Sequence, residues 1–262
     1  MKRIFRYAWL LFKVNIEINI LYRANFIYGV ISTFLWMTLT IISMSILTYQ
    51  SSEVGGWNRY ELFLAQGVYS IILGLMYLLF GENIKNLGRM IRYGNLDLVF
   101  IKPLDSQFLV SIGQFRLYHI SRVLSGIILI VYSLSVLQIR LSFFDILLFS
   151  IFSVAGLVVV YSMWFGLMTL SFWLIDLFNL HELISMITGA ARYPLEMLRH
   201  VGEYLLYILM PLVVITSVPA QVLTKKLDLS LAAWSLFTAA FLFILSRKFW
   251  QFALKFYTSA SS

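Results

Sequence analysis

Residues 26–48 read FIYGVISTFLWMTLTIISMSILT, without one charged side chain. A helix needs roughly 20 apolar residues to cross the hydrocarbon core of a bilayer. The stretch therefore predicts a membrane-spanning helix and makes the chain an integral membrane protein. The composition around it agrees. Of 262 residues, 61% are hydrophobic and only 12% are charged, with a mean hydropathy of +0.86. A soluble domain is about half apolar and about a quarter charged. Six or so membrane spans are a better unit for this length than soluble domains.

Reading outward from residues 26–48, a short polar loop with Gly55-Gly56 leads to a second span over 60–80, with Glu61 near its outer end. Residues 81–105 are polar and basic. A third span covers 123–139; Arg116, His119 and Arg122 precede it, so its helix is expected to begin well inside the cytoplasm. Residues 146–170 form the fourth span. Residues 180–198 form a fifth, polar for its kind because of His181, Glu182, Arg192 and Glu196. Residues 229–246 form the last. On the other side, residues 2–22 read as an amphipathic helix lying on the membrane. Lys2, Arg6, Lys13 and Glu17 share one stripe, and Ile4, Leu10, Leu11, Val14 and Ile18 cover much of the rest, a pattern suited to the interface plane. An ordinary flank of the first span is the plainer alternative. The first 25 residues show no short apolar core followed by a small-residue cleavage site, so no cleavable signal is expected.

Orientation follows from Lys and Arg. Fourteen of the twenty lie in residues 1–25, 81–122 and 247–262, which places both termini and the 81–122 region in the cytoplasm. Five spans then leave the chain outside near Arg199, and the last span must run inward. Residues 200–225 must begin and end outside, although 203–218 are apolar. With Pro211 and Pro219 in the segment, a re-entrant pair of half-helices is expected; a full span over 203–222 would put the C-terminus outside, against its three basic residues. Broken backbone at membrane depth is tolerated where it packs in protein or lines a cavity.

Catalytic chemistry has little to stand on. There is no cysteine, which removes disulfides, thiolate nucleophiles and Cys-based metal sites. No Gly-rich Walker sequence occurs, so ATP is not bound in the P-loop manner. His119, His181 and His200 are widely spaced and read as packed or interfacial residues. The carboxylates Glu61, Asp145, Glu182 and Glu196 can all sit near an interface. The net charge of +8 would suggest nucleic acid for a soluble protein; here it is the basic flanking of spans, and no nucleic-acid partner is expected.

The 81–105 region is the most informative. Asn83 to Tyr93 can form a short amphipathic helix with Ile84, Leu87, Met90 and Ile91 on one stripe and Lys85, Arg89 and Arg92 elsewhere. Gly94 then serves as a left-handed C-terminal cap. Such a helix either rests on lipid headgroups or docks into a soluble partner.

Several short motifs carry a resemblance over essentially the whole chain: Gly55-Gly56-Trp57 with Tyr60-Glu61, then Gly94, Leu96-Asp97 and Lys102-Pro103-Leu104, then Ser171-Phe172-Trp173 and Arg192-Tyr193-Pro194. In these the sequence resembles the membrane subunit of ATP-binding-cassette (ABC) exporters of the type-2 permease class, in particular a bacterial subfamily with paired permeases. The resemblance implies an all-α integral membrane permease over 1–262, with an N-terminal interfacial helix, six transmembrane helices and re-entrant half-helices before the last span. It implies a multi-pass protein of the bacterial inner membrane that works with a second permease and an ATPase dimer. This chain would bind no cofactor, since ATP and Mg sit on the partner ATPase. It also implies a coupling helix over 83–97. Ile84, Leu87, Arg89, Met90, Arg92, Gly94 and Asp97 would be its ATPase-coupling residues, and Glu61, Arg192, Tyr193 and Pro194 would line or close the outer end of the path. An ion-gradient transporter would need mid-membrane ionisable sites and internal repeats, neither of which the sequence displays. A membrane assembly protein is the other alternative.

Overall fold

The computed structural model describes residues 9, 13–17, 23–49, 53–174, 180–194 and 203–257. Among them, five helical runs are long and apolar enough to cross a membrane: Ala24–Leu47, Arg59–Arg92, Leu117–Leu137, Phe143–Phe172 and Leu229–Phe256. Most of the expected interfacial helix at 2–22 lies outside the described residues; residues 13–17 are helical.

The first spanning helix, α1 (Arg23–Leu47), is apolar on nearly every face, and its Thr33, Thr38 and Thr40 hydroxyls donate to carbonyls one turn back. Within hydrocarbon a hydroxyl needs a partner, and the helix supplies its own. The chain then turns through a two-stranded antiparallel hairpin, β1 (Glu53–Val54) and β2 (Trp57–Asn58). Gly55 and Gly56 take φ of 63° and 81°, the two positive values that a type I′ hairpin turn requires. Asn58 caps the next helix, α2 (Arg59–Met76), in a reciprocal box with Glu61.

The 60–80 span and the 83–97 helix were expected as separate elements. The structure joins them. A wide π turn at Tyr77–Gly81 carries α2 without a break into α3 (Glu82–Lys85), and one irregular residue later into α4 (Leu87–Arg92). The resulting helical run is 34 residues long. It stops at Gly94, whose φ is 68°. Asn95 N–H bonds the Met90 carbonyl at 2.9 Å and Gly94 N–H bonds that of Ile91 at 3.2 Å, the paired bonds of a Schellman cap. Two short helices follow, α5 (Asp97–Phe100) and α6 (Ser106–Ser111), the latter capped by Asp105.

The remaining spans are α7 (Ile120–Leu137) and α8 (Phe143–Thr169). The expected fifth span at 180–198 is represented by α9 (Leu180–Ala190), 11 residues long. At 1.5 Å per residue that is about 16 Å, half of the hydrocarbon thickness; residues 195–198 lie outside the described ones. The half-helix pair expected at 200–225 is replaced by one continuous helix, α10 (Glu203–Leu223), with Pro211 and Pro219 inside it. A proline removes one backbone donor, and a helix held by its neighbours tolerates that loss. The last span is α11 (Leu229–Ala253).

Helix α2 is the axis of the bundle, with α7, α8 and α10 packed on it. Its approach to α7 is made by glycine on both sides: a Cβ at Gly126 would lie 2.6 Å from the Gly67 carbonyl oxygen. At the hairpin end Lys226 pairs with Glu61 at 2.6 Å. At the opposite end, the elbow, Arg247 of α11 forms a fork with Asp105 and also donates to Gln107. This guanidinium holds the Asp105 carboxyl below its ordinary range.

Two asparagines lock the elbow. The Asn83 carboxamide oxygen accepts from Gly113 N–H at 3.0 Å and Gln114 N–H at 2.8 Å, and its amide donates to the Gln114 carbonyl at 2.9 Å. Asn15 donates to the Gly113 carbonyl and accepts from Phe115 N–H, tying the N-terminal segment to the same strand of chain. An Asn83→Leu variant leaves two backbone donors without their acceptor. An unsatisfied buried donor costs about 1–3 kcal/mol, so a clear fall in melting temperature is expected in detergent. An unchanged melt would show that water replaces the carboxamide.

Candidate functional site

One cleft stands out for polar residues inside an apolar bundle. It has a volume of about 600 Å³ and lies between α1, α2, the start of α7, and α9. Helix α2 contributes Gln66, Tyr69 and Ser70 at i, i+3 and i+4, which one helix face presents together, with Tyr77 two turns further on. The α7 side brings Arg116, His119 and Arg122; α9 and the turn after it bring Thr188 and Arg192. Trp36 and Met37 of α1 add apolar surface.

Its electrostatics are positive. Arg116 is paired with Glu82 at 3.0 Å. Among the described residues, neither Arg122 nor Arg192 has a carboxylate within ion-pair distance. Both instead stack toward aromatic rings. The Arg122 guanidinium lies 5.5 Å from the Tyr69 ring centre and 5.6 Å from that of Tyr77, and Arg192 lies 5.7 Å from Tyr69. Tyr69 is thus the ring that both cations approach. A cation over a ring gains about 0.5–2 kcal/mol, which offsets part of the cost of holding a charge beside hydrocarbon at these two helix ends. The rings reduce that cost without removing the charge. Two buried polar atoms at the cleft, Gln66 Oε1 and Arg192 Nε, have no hydrogen-bond partner among the described residues; Gln66 is only 4% exposed.

A second cavity, about 490 Å³, lies on the other side of the bundle against Phe80, Leu157 and Phe243. Its polar rim is already occupied. Tyr161 hydroxyl meets Ser111 at 2.8 Å and Gln107 at 3.2 Å, and Arg247 is held by Asp105. Satisfied groups make a structural joint, which leaves the arginine cleft as the candidate site.

Of the residues expected to line or close the path, Arg192 is in the cleft. Tyr193 and Pro194 follow it, half-buried and buried, outside the cleft lining. Glu61 is elsewhere. Its carboxylate caps Asn58 N–H and meets Lys226, so it fastens the hairpin end.

The elbow residues divide. Ile84 and Leu87 are fully buried within this chain and Met90 packs half-buried on the core. Ile84 and Leu87 therefore have no surface to offer a partner, while Met90 keeps part of its own. The segment sits on the Ser171-Phe172-Trp173 turn, close enough that a Cβ at Gly88 would meet Ser171 Oγ at 3.3 Å. The outward face carries Arg89, Arg92, Tyr93, Leu98, Ile101 and Lys102. Asp97 faces inward to Tyr257, whose phenol is raised by burial and by that carboxylate.

Sequence reading missed Tyr69, Gln66 and Tyr77. The signal was there: polar and aromatic residues at helical spacing along a single face of the second span. No metal-binding cluster of His, Asp or Glu occurs among the described residues. In comparison with known proteins, the sequence model of one family, described as ABC-2 family transporter protein, matches residues 34–261. No curated protein and no solved structure matches the chain.

Proposed function

Because this chain belongs to the ABC-2 family of transporter proteins and is a multi-pass permease component of an ABC transporter, we propose that it is half of the membrane path of an ATP-driven exporter. Two permease subunits, identical or paralogous, form the path between them, and a separate ATPase dimer powers it. The observation that carries this reading is the arginine-bearing cleft inside a bundle whose outer surface is apolar. A group so costly in hydrocarbon is retained for function by default.

In this reading the elbow is cytoplasmic and receives the ATPase. The exposed set Arg89, Arg92, Tyr93, Leu98 and Ile101 combines cations with apolar anchors, the composition of an interface centre, while buried Ile84 and Leu87 pass movement into the bundle. Closure of the ATPase dimer on ATP shifts the elbow, and the cleft changes access from one side to the other. Coupling of this kind needs an element that both sites bias, and the helical run from Arg59 to Arg92 touches the cleft and the elbow. Arg192, Tyr193 and Pro194 close the path toward the outside, and the hairpin end faces outward. The membrane is the bacterial inner membrane, with both termini in the cytoplasm, α9 and α10 together making one net crossing that ends at the hairpin end, where Lys226 meets Glu61.

The test is biochemical. The purified chain alone should hydrolyse no ATP above a mock preparation. Purified from its host membrane, it should bring an ABC ATPase with it, and the reconstituted complex should transport only when ATP is supplied. Transport that continues without ATP and stops when ion gradients are collapsed would show a secondary transporter instead.

A further inference from the structure

We propose that the cleft selects for negative charge and that its transported ligand is an amphiphile bearing an oxyanion, a phosphate, sulfonate or carboxylate on an apolar body. The proposal rests on the cleft being the path. Arg122 and Arg192 bring two positive charges with no carboxylate partner among the described residues, at 5.5 and 5.7 Å from the centre of one tyrosine ring. Among the described residues the one acid lining the cleft, Glu82, is engaged by Arg116. Arg192 Nε–H is buried with no described acceptor, and neither guanidinium is held by a carboxylate among the described residues; an oxyanion is the partner arginine binds best. A cationic ligand would meet uncompensated repulsion in low dielectric. The body of the ligand is argued from the other wall. Trp36, Met37, Leu73 and Tyr77 line the cleft, and the α1 helix that forms its edge shows Ile31, Leu35 and Leu39 to the surroundings. The mouth of the cleft therefore opens beside hydrocarbon, where an apolar tail can remain while its head enters.

The absence of native cysteine makes a direct test possible. Ser70→Cys and Ser32→Cys each place one thiol in the cleft, so that failure of either variant to fold leaves the other. The full chain in neutral phosphatidylcholine nanodiscs is treated with two thiol reagents of similar size, an anionic sulfonatoethyl and a cationic trimethylammonioethyl methanethiosulfonate. The ratio of their rates, divided by the ratio for a free thiol in solution, cancels any change in thiolate fraction. A charged cleft with low-dielectric walls concentrates counter-ions tenfold or more, so a preference for the anion of about tenfold is expected, falling toward one in an Arg122→Gln/Arg192→Gln background. A ratio at or below that of the free thiol overturns the proposal and leaves the path reading in place. If neither reagent reacts at either position while an exposed Gln114→Cys control does, the cleft is closed to water, and the path reading falls with the proposal. Dodecyl phosphate and inorganic phosphate are then compared as protectants of the same thiol. Protection by dodecyl phosphate at a concentration at least about tenfold lower supports an amphiphile. Protection by inorganic phosphate at equal or lower concentration, or by neither, overturns it.

Discussion

Gly126→Leu is expected to leave almost no folded protein. A Cβ at this position would stand 2.6 Å from the Gly67 carbonyl oxygen, 2.9 Å from Ile71 Cγ1 and 3.1 Å from Ile71 N. Two of these are backbone atoms of the helix at the centre of the bundle, which cannot rotate aside. In a membrane, helices associate through close packing of small residues because lipid tails compete equally for apolar surface. Pushing α7 from α2 therefore forfeits contacts that nothing else replaces. Overpacking a soluble core costs about 1–3 kcal/mol and sometimes more; with backbone opposed to backbone the upper end is expected. The measurement is monodispersity on size exclusion and the thermal melt in detergent. Gly166→Ala is the control, since a Cβ there meets only Ser246 Cβ at 4.0 Å, and it should behave as wild type. A Gly126→Leu protein that elutes and melts normally would mean that the two helices do not cross at these glycines.

Gly94→Val is expected to insert and fold, yet to lose ATPase binding and export. At φ 68° a β-branched residue is a strong outlier, with a strain of about 1–3 kcal/mol. The elbow can relieve it by unwinding the Schellman cap, because the turn lies at the surface and Tyr93 beside it is exposed. The bundle beyond is anchored separately by Ile84, Leu87 and the two asparagines. Relief thus moves Arg89, Arg92, Tyr93 and Leu98 relative to one another without unfolding the spans. Pull-down of the ATPase and ATP-driven export are the readouts, with membrane expression as control. Normal binding and export in Gly94→Val, and in an Arg89→Ala/Arg92→Ala pair, would remove the elbow from the mechanism. A helix merely resting on lipid would show only a small loss of stability.

Much of the architecture was legible because its signals are local. An uncharged run of span length needs no partner to be read, and residues 26–48 and 146–170 match α1 and α8 closely. Gly55-Gly56 and Gly94 mark positive φ for reasons contained in their own backbone. What escaped depends on neighbours. A helical ladder can widen by one residue and continue, so the polar onset near Gly81 marks the end of hydrocarbon rather than the end of the helix. Pro211 reads as a break, yet α10 runs through it. The stripe Ile84, Leu87 and Met90 was visible, but not which surface it meets; it faces the chain's own Ser171–Trp173 turn. Likewise Arg192 was identified as a site residue, while Arg122, from the start of another span, joins it only through the packing of α2, α7 and α9 around Tyr69.

The wide turn at Tyr77–Gly81 bears on how force travels. From Arg59 to Arg92 the chain is a rod of 34 residues, about 50 Å long at 1.5 Å per residue. Its far end is clamped by the pairing of Glu61 with Lys226. Within the rod the regular ladder is interrupted at the π turn and again at Asn86, so flexure concentrates there. Wide turns of this kind frequently sit at functional sites, and this one begins at Tyr77, whose ring meets Arg122. A tilt of the elbow by about 5° would swing an unjointed rod of this length by about 4 Å at its tip. With a joint placed beside the cleft and the tip held fast, that displacement is instead delivered where Tyr77 and Arg122 meet. The protein has, in effect, a crankshaft whose elbow journal is the elbow and whose throw is taken up at the arginines.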